Sequence, residues 1–474
     1  MRVWSFSALC AGIATCAMLM GCVGSRPYQT ELGPRPSDGG RLPPAKPVEV
    51  KKVCSGPSAC VVFVEYDDYG NLMNRAQMLG AVAAAEETAR ARGTVLVYVH
   101  GWHNDAANGT RDVERFKELV QRASEVDQTY RPGHEGRGNI LGIYVGWRGD
   151  SIASDGLTKP FSYLFTFWDR KSAAHEIGNS GGVYDLFSRL SELRRKYGNS
   201  KLLIHGHSFG GAVVYSTVSQ TLMDQIRMDA STSTSQASAM ADLVLIVNPA
   251  FEAMKLRPQF DLARHQEYKP NLPPRLVVIT TEADLATGVT FPVGRAFGTL
   301  FESYADPQSS TENTTAVGHH IPYVTHQLAK PQDDACSDGT ISGGIPKSLS
   351  ASAGLSALAG VRNLGSLIDQ NKPTLCVPAL KEFPDAARLL LQRCDTPGAC
   401  SLVASNHYIA RGAAAEGYVP FRLPIMNIRT TADVSSGHID IRNPTLENFV
   451  VQLWALAVRD AGAVPIAPLG TDPQ

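Results

Sequence analysis

The 474-residue sequence predicts an α/β protein: a mostly parallel sheet with helices on both faces, and a long cap-like insertion before the last strand. Three observations predict it. Several short runs are apolar at consecutive positions, as strands buried on both faces require. These runs alternate with segments of helical periodicity, the pattern of a parallel sheet joined by crossover helices. The rhythm then breaks from about 286 to 420, where Ser, Thr, Gly and Pro crowd the sequence.

In chain order, CVVFVEY (60–66) is β-branched and aromatic and reads as a strand. The alanine-rich segment 74–92 reads as a helix that stops before Gly93. TVLVYVH (94–100) is apolar at both parities, hence a buried strand. Val113, Phe116, Leu119 and Val120 give 110–126 a helical stripe. A strand follows at 139–147, a helix at 183–197, a strand at 201–207 and a helix from Phe209 to about Ile226. ADLVLIVNPA (241–250), RLVVITTEAD (275–284) and FRLPIMNIRTT (421–431) are further strands, and 445–458 is the last helix. The segment FSYLFTFWD (161–169) is aromatic at so many positions that it fits a packed helix face, or the wall of an acyl pocket. Trp147, just past its strand, reads as core or pocket wall.

The amino terminus pairs Arg2 with an uncharged stretch from Val3 to Met20, the pattern of a secretory signal. Its end, Leu19-Met20-Gly21-Cys22, resembles the bacterial lipobox. The resemblance implies cleavage before Cys22 and lipid on that cysteine; an uncleaved membrane anchor is the alternative. Either way the protein is exported to the bacterial cell envelope and held at a membrane, facing the periplasm or the surface. Residues 1–21 are then the signal peptide and 22–52 a flexible or extended tether rich in Pro and Gly. The folded domain spans 53–460, with 286–420 as a disulfide-containing insertion, and 461–474 is a tail. Of nine cysteines, Cys54, Cys60, Cys336, Cys376, Cys394 and Cys400 remain after the signal and Cys22 are set aside. An even number suits disulfides in an oxidising compartment. CSGPSAC (54–60) and CDTPGAC (394–400) share one spacing and suggest two local bridges, with Cys336–Cys376 by elimination. The connectivity stays open, and zinc is the competing reading, though close CxxC pairs are lacking. The formal net charge of −1 and the lack of a basic block give no support to a nucleic-acid partner. Nothing sets an oligomeric state.

The chemistry starts from Gly206-His207-Ser208-Phe209-Gly210, which ends one apolar strand and opens an apolar helix. A G-x-S-x-G turn presents its serine at strained backbone angles, and the small residues let helix and strand approach. With this context the layout over about 60–460 resembles the α/β-hydrolase fold of serine esterases and lipases. The resemblance implies a carboxylic-ester hydrolase acting on a small-molecule or lipid ester, with Ser208 as nucleophile and with neither metal nor cofactor. It further implies backbone N–H donors for the oxyanion at Trp102, in the turn His100-Gly101-Trp102, and at Phe209. A metal site at His100, His103 and Asp105 is the rival reading of that turn. Asp284, just past a strand, is the expected acid; Glu282 is its alternative, and a helix cap is its plain role. For the base, His438 follows the last strand and completes the order Ser, acid, His, while His319, His320 and His326 lie nearer Asp284 in sequence. A non-catalytic envelope lipoprotein that keeps the fold as a binding module is the alternative from another class.

Overall fold

The strands are β1 (Gly21–Cys22), β2 (Val53–Cys54), β3 (Ala59–Glu65), β4 (Thr94–Val99), β5 (Ile140–Gly146), β6 (Ile152–Ala153), β7 (Lys201–His207), β8 (Leu243–Val247), β9 (Leu276–Thr281), β10 (His326–Ala329), β11 (Thr374–Val377), β12 (Leu389–Arg393) and β13 (Ile425–Thr430). The helices are α1 (Arg75–Arg90), α2 (Arg111–Tyr130), α3 (Lys159–Asn179), α4 (Gly182–Tyr197), α5 (Phe209–Ser231), α6 (Ala253–Arg264), α7 (Phe291–Gly298), α8 (Pro307–Thr314) and α9 (Pro444–Val458). The computed structural model describes residues 21–22, 26–29, 52–56, 58–130, 138–150, 152–153, 159–231, 239–266, 268, 274–299, 301–331, 374–377, 379–394 and 424–458.

Among the described residues the main sheet has 11 strands in the order β11-β12-β10-β13-β9-β8-β7-β4-β5-β3-β2. From β10 to β3 every neighbouring pair is parallel. Both edges turn antiparallel, through β12 and β11 at one end and β2 at the other. β1 pairs separately with β6.

Successive side chains of a strand point to opposite faces, and here both faces are covered. Val62, Val64, Val95, Val97, Ile204 and Ile246 pack with Met78 of α1, Ile177 of α3, Phe187 of α4 and Val213 of α5. Val61, Phe63, Leu96, Leu203 and Leu245 pack on the other face with Phe116 of α2 and Phe449 and Trp454 of α9. Each fully buried side chain of this size contributes about 1.5–3 kcal/mol. This is why the strands read as unbroken apolar runs.

The connection after β4 leads into α2 on one face, and the connection after β7 leads into α5 on the other. β4 and β7 are neighbours, so their outgoing loops diverge at the carboxyl edge of the sheet. In open α/β sheets this divergence opens the crevice where ligands bind.

The described residues of 286–420, expected as an insertion, add helices and strands to the fold. α7 and α8 follow β9, and β10, β11 and β12 extend the sheet itself. Residues 26–29, within the expected tether, are held against the carboxyl end of β3. The backbone N–H groups of Tyr28 and Gln29 donate to the buried Glu65 carboxylate at 2.7 and 3.0 Å. Cys54 and Cys60 form a disulfide across β2 and β3. Cys394 is also disulfide-bonded. Cys336 and Cys400 lie outside the described residues, as do the side chains of Cys22 and Cys376. No helix among the described residues is long and apolar enough to cross a membrane.

Candidate active site

Ser208 sits between β7 and α5 with φ +56°, a left-handed conformation that L-residues adopt at a cost. Pairing holds it there. Its N–H donates to the Val247 carbonyl of β8 at 3.1 Å, and its own carbonyl accepts from Ala212 and Ala250, both at 3.2 Å. The turn is tight enough that a Cβ at Gly210 would fall 2.2 Å from the Val99 carbonyl oxygen and 2.4 Å from that of His100. Only glycine lets α5 start against the end of β4. Gly101 approaches from the other side: a Cβ there would lie 2.8 Å from Ser208 Cβ.

Ser208 Oγ is 2.8 Å from His438 Nε2, and His438 Nδ1 is 2.8 Å from Asp284 Oδ2. A carboxylate only accepts, so Nδ1 carries the ring proton and Nε2 is left as acceptor for the serine hydroxyl. Asp284 follows β9 and is 1% exposed. Burial alone would raise its carboxyl. The hydrogen bond and charge of His438, with two bonds from Thr287, outweigh burial and hold it below the usual carboxylate range.

The loop after β13 that carries His438 is held from below. Its backbone carbonyl accepts from His207 Nε2 and from Asn248 Nδ2, each at 3.0 Å. Asn248, the residue after β8, has φ +47° and also accepts from the Thr281 N–H at 3.1 Å. Burial, then the charge of His438, lowers His207 to about 3, so its ring is neutral and serves as a donor. Glu282 accepts from the Ala432 N–H at 3.2 Å, so it steadies this loop while Asp284 faces the imidazole.

The other candidate bases point elsewhere. Among the described contacts none joins His319, His320 or His326 to Ser208. His319 Nε2 meets Thr287 Oγ1 at 3.0 Å, His320 stacks edge-on against Tyr323, and His326 Nδ1 meets Thr325 Oγ1 at 2.8 Å.

In the turn after β4, His100 is fully buried and stacked against Trp147 and Tyr144. Its Nε2 accepts the Trp147 N–H at 3.1 Å, so Nδ1 donates to the Gly101 carbonyl at 2.9 Å. His103 pairs with Asp150, and the Asp105 carboxylate accepts from the Ala107 N–H at 2.8 Å. The three candidate metal ligands thus serve three separate partners. The Trp102 ring stacks on His103 and meets Phe167 and Phe209. Phe209 is the first residue of α5, and the leading amides of a helix have no acceptor within it. The Trp102 and Phe209 rings meet with centroids 5.7 Å apart, each on the residue that follows one of the two that approach, Gly101 and Ser208. Phe167 of α3 is 5% exposed among Trp102, Phe209, Trp168 and Phe291, a packed position. Trp147 is likewise core.

Thr287, Asn248 and His207 complete the arrangement and were not singled out from sequence. The signals were slight: a threonine three residues past Asp284, and an asparagine just past an apolar strand.

No family model matches the chain, and no curated protein matches its sequence. Among solved structures it is distantly similar to phospholipase PlaB from Legionella pneumophila. In complex with thio-NAD that protein aligns at 12% identity over 51% of this chain and 47% of its own, with a TM-score of 0.21. Without that ligand the identity is 11% over 51% and 48%, with a TM-score of 0.21. The alignment spans about half of that protein's length. A likeness this slight carries no weight for the chemistry, which rests on the site.

Proposed function

We propose that this protein is a serine hydrolase of the α/β-hydrolase class that cleaves carboxylic esters, in the manner of an esterase or lipase. His438 Nε2 takes the proton of Ser208 as Oγ attacks the ester carbonyl carbon. Asp284 holds the ring in the required tautomer and stabilises the imidazolium. The amides of Trp102 and Phe209 receive the oxyanion. Losing one such donor typically costs about 3–4 kcal/mol of barrier. His438 then returns the proton to the departing alkoxide and leaves an acyl-Ser208. Water, deprotonated by the same imidazole, releases the acid.

The observation that supports this reading best is that His438 is hydrogen-bonded at both ring nitrogens, to a buried carboxylate and to the hydroxyl of a serine on a strained turn. Export through residues 1–21 and a lipid on Cys22 would place the domain at the cell envelope with access to membrane esters.

Turnover of p-nitrophenyl esters across acyl chain lengths tests the function and reports its specificity. Ser208→Ala and His438→Ala each lower kcat by roughly four to six orders of magnitude, whereas His319→Ala retains turnover. Loss of turnover in His319→Ala with His438→Ala active would reverse the assignment of the base. A folded chain that turns over no ester would favour a binding module.

A further inference from the structure

We infer that Thr287 and His319 are positioning residues for the site: His319 donates through Nε2–H to Thr287 Oγ1, and Thr287 donates to Asp284, fixing the carboxylate and drawing part of its charge away from His438. This rests on the hydrolase reading of Ser208, His438 and Asp284.

The direction of the chain follows from counting protons. Asp284 accepts at Oδ1 from the Thr287 N–H at 3.0 Å, and at Oδ2 from both His438 Nδ1 and the Thr287 hydroxyl. An ionised carboxylate has no proton to give and a hydroxyl has one, so that proton lies toward Asp284. Thr287 Oγ1 can then only accept from His319, 3.0 Å away, which requires His319 to carry its proton on Nε2. Chained hydrogen bonds polarise one another, so the His319 bond strengthens that of Thr287 to the carboxylate.

Both residues are held firmly. Thr287 is 1% exposed. His319 closes a short 3-10 turn, Val317–His319, whose Val317 N–H donates to the Phe251 carbonyl at 3.0 Å and whose Val317 carbonyl accepts from Asn427 Nδ2 at 3.3 Å. The charged and titratable groups facing His319 are Asp284, Arg429 and His438; those facing His438 are Asp284, His207 and His319. Burial, with Arg429 and His438, lowers His319 to about 4 against the opposing pull of Asp284. The ring is therefore neutral near pH 7 and acts as a dipole, adding no second cation beside the imidazolium of His438.

The test is nitrogen-resolved NMR of the full chain with labelled histidine, on the native protein and on Thr287→Val, Thr287→Ser, His319→Leu and His319→Gln. His319 is expected as the Nε2–H tautomer. Thr287→Val should raise the titration midpoint of His438 by up to about one unit, since Asp284 regains charge against the imidazolium. Thr287→Ser should restore the native midpoint, and His319→Leu should shift it in the same direction as Thr287→Val. His319→Gln, which keeps an N–H donor, should lie nearer native. Adding His319→Leu to Thr287→Val should move it no further, because the path is already cut. In ester turnover, Thr287→Val should lower kcat roughly tenfold at unchanged KM, a loss comparable to one hydrogen bond to a charged group. An Nδ1–H tautomer at His319 would overturn the inference, as would an unchanged His438 midpoint in Thr287→Val. If Thr287→Val fails to fold, His319→Leu and His319→Gln give the same decision. The NMR readings need no turnover, so an inert chain with a shifted midpoint would reject the hydrolase reading alone. An active chain with an unshifted midpoint would reject the relay alone.

Discussion

Ser208 and Gly101 meet from two loops, and that contact makes the site sensitive to a single methyl group. Gly101→Ala would put a Cβ 2.8 Å from Ser208 Cβ and 2.9 Å from His207 Nδ1. Displacing a reacting group by about 1 Å costs on the order of a hundredfold in rate. Gly101→Ala should therefore lower ester turnover about a hundredfold while far-UV circular dichroism stays native. Asp284 predicts an acid dependence. Its folded carboxyl releases its proton more readily than the unfolded chain's, so its contribution to stability is complete above about pH 4 and is lost as the pH falls through the folded value. Urea unfolding of native and Asp284→Asn protein should differ most near neutrality and converge in acid; a difference that widened in acid would contradict this. At this scale the sequence was legible wherever chemistry sits at a strand end. Ser208 lies in a G-x-S-x-G turn, and Asp284 and His438 follow apolar runs. The sequence favoured His438 over His319 by its place after the last strand, and the pairing of β13 beside β9 is what brings the two distant loops together. Thr287, Asn248 and His207 act by bonding across such loops, and spacing does not report that.

Helices α3, α6 and α7 are joined by one buried carboxylate. Glu252, at the start of α6, lies 2.6 Å from Lys171 of α3 and 3.0 Å from Arg295 of α7, and is 3% exposed. Removing one partner of a buried ion pair leaves uncompensated charge and costs about 3–5 kcal/mol. Glu252→Gln should lower the urea midpoint accordingly; an unchanged midpoint would mean that packing alone holds these helices. The same region explains which elements escaped the sequence. FSYLFTFWD (161–169) read as a packed helix face or a pocket wall, and it lies in α3, whose full length the aromatic cluster alone did not mark. β10 is HQLA, four residues, too short for alternation to register against its surroundings. β11 is equally short, and both sit toward a sheet edge where partners, more than composition, define a strand. The doubly buried central strands were readable because covering both faces leaves an unmistakable composition.

Across the whole molecule, strand order creates the site. Loops leaving β4 and β7 part toward opposite faces, and β9 and β13 deliver the acid and the imidazole to the same edge of the sheet. The sequence revealed the alternation but not the order, since crossovers between buried strands look alike wherever they land. The lipid anchor proposed at Cys22 predicts that Cys22→Ala leaves the signal unprocessed and the protein unlipidated. Gel mobility and membrane fractionation check this, and normal processing with unchanged attachment would reject the anchor. The most direct measurement for the site itself is reaction of the folded chain with a fluorophosphonate, followed by mass mapping of the modified peptide. One adduct on Ser208, abolished by Ser208→Ala and by His438→Ala, is the expected result. A folded protein that takes no label, or takes it on another residue, would contradict the assignment of Ser208 as an activated nucleophile.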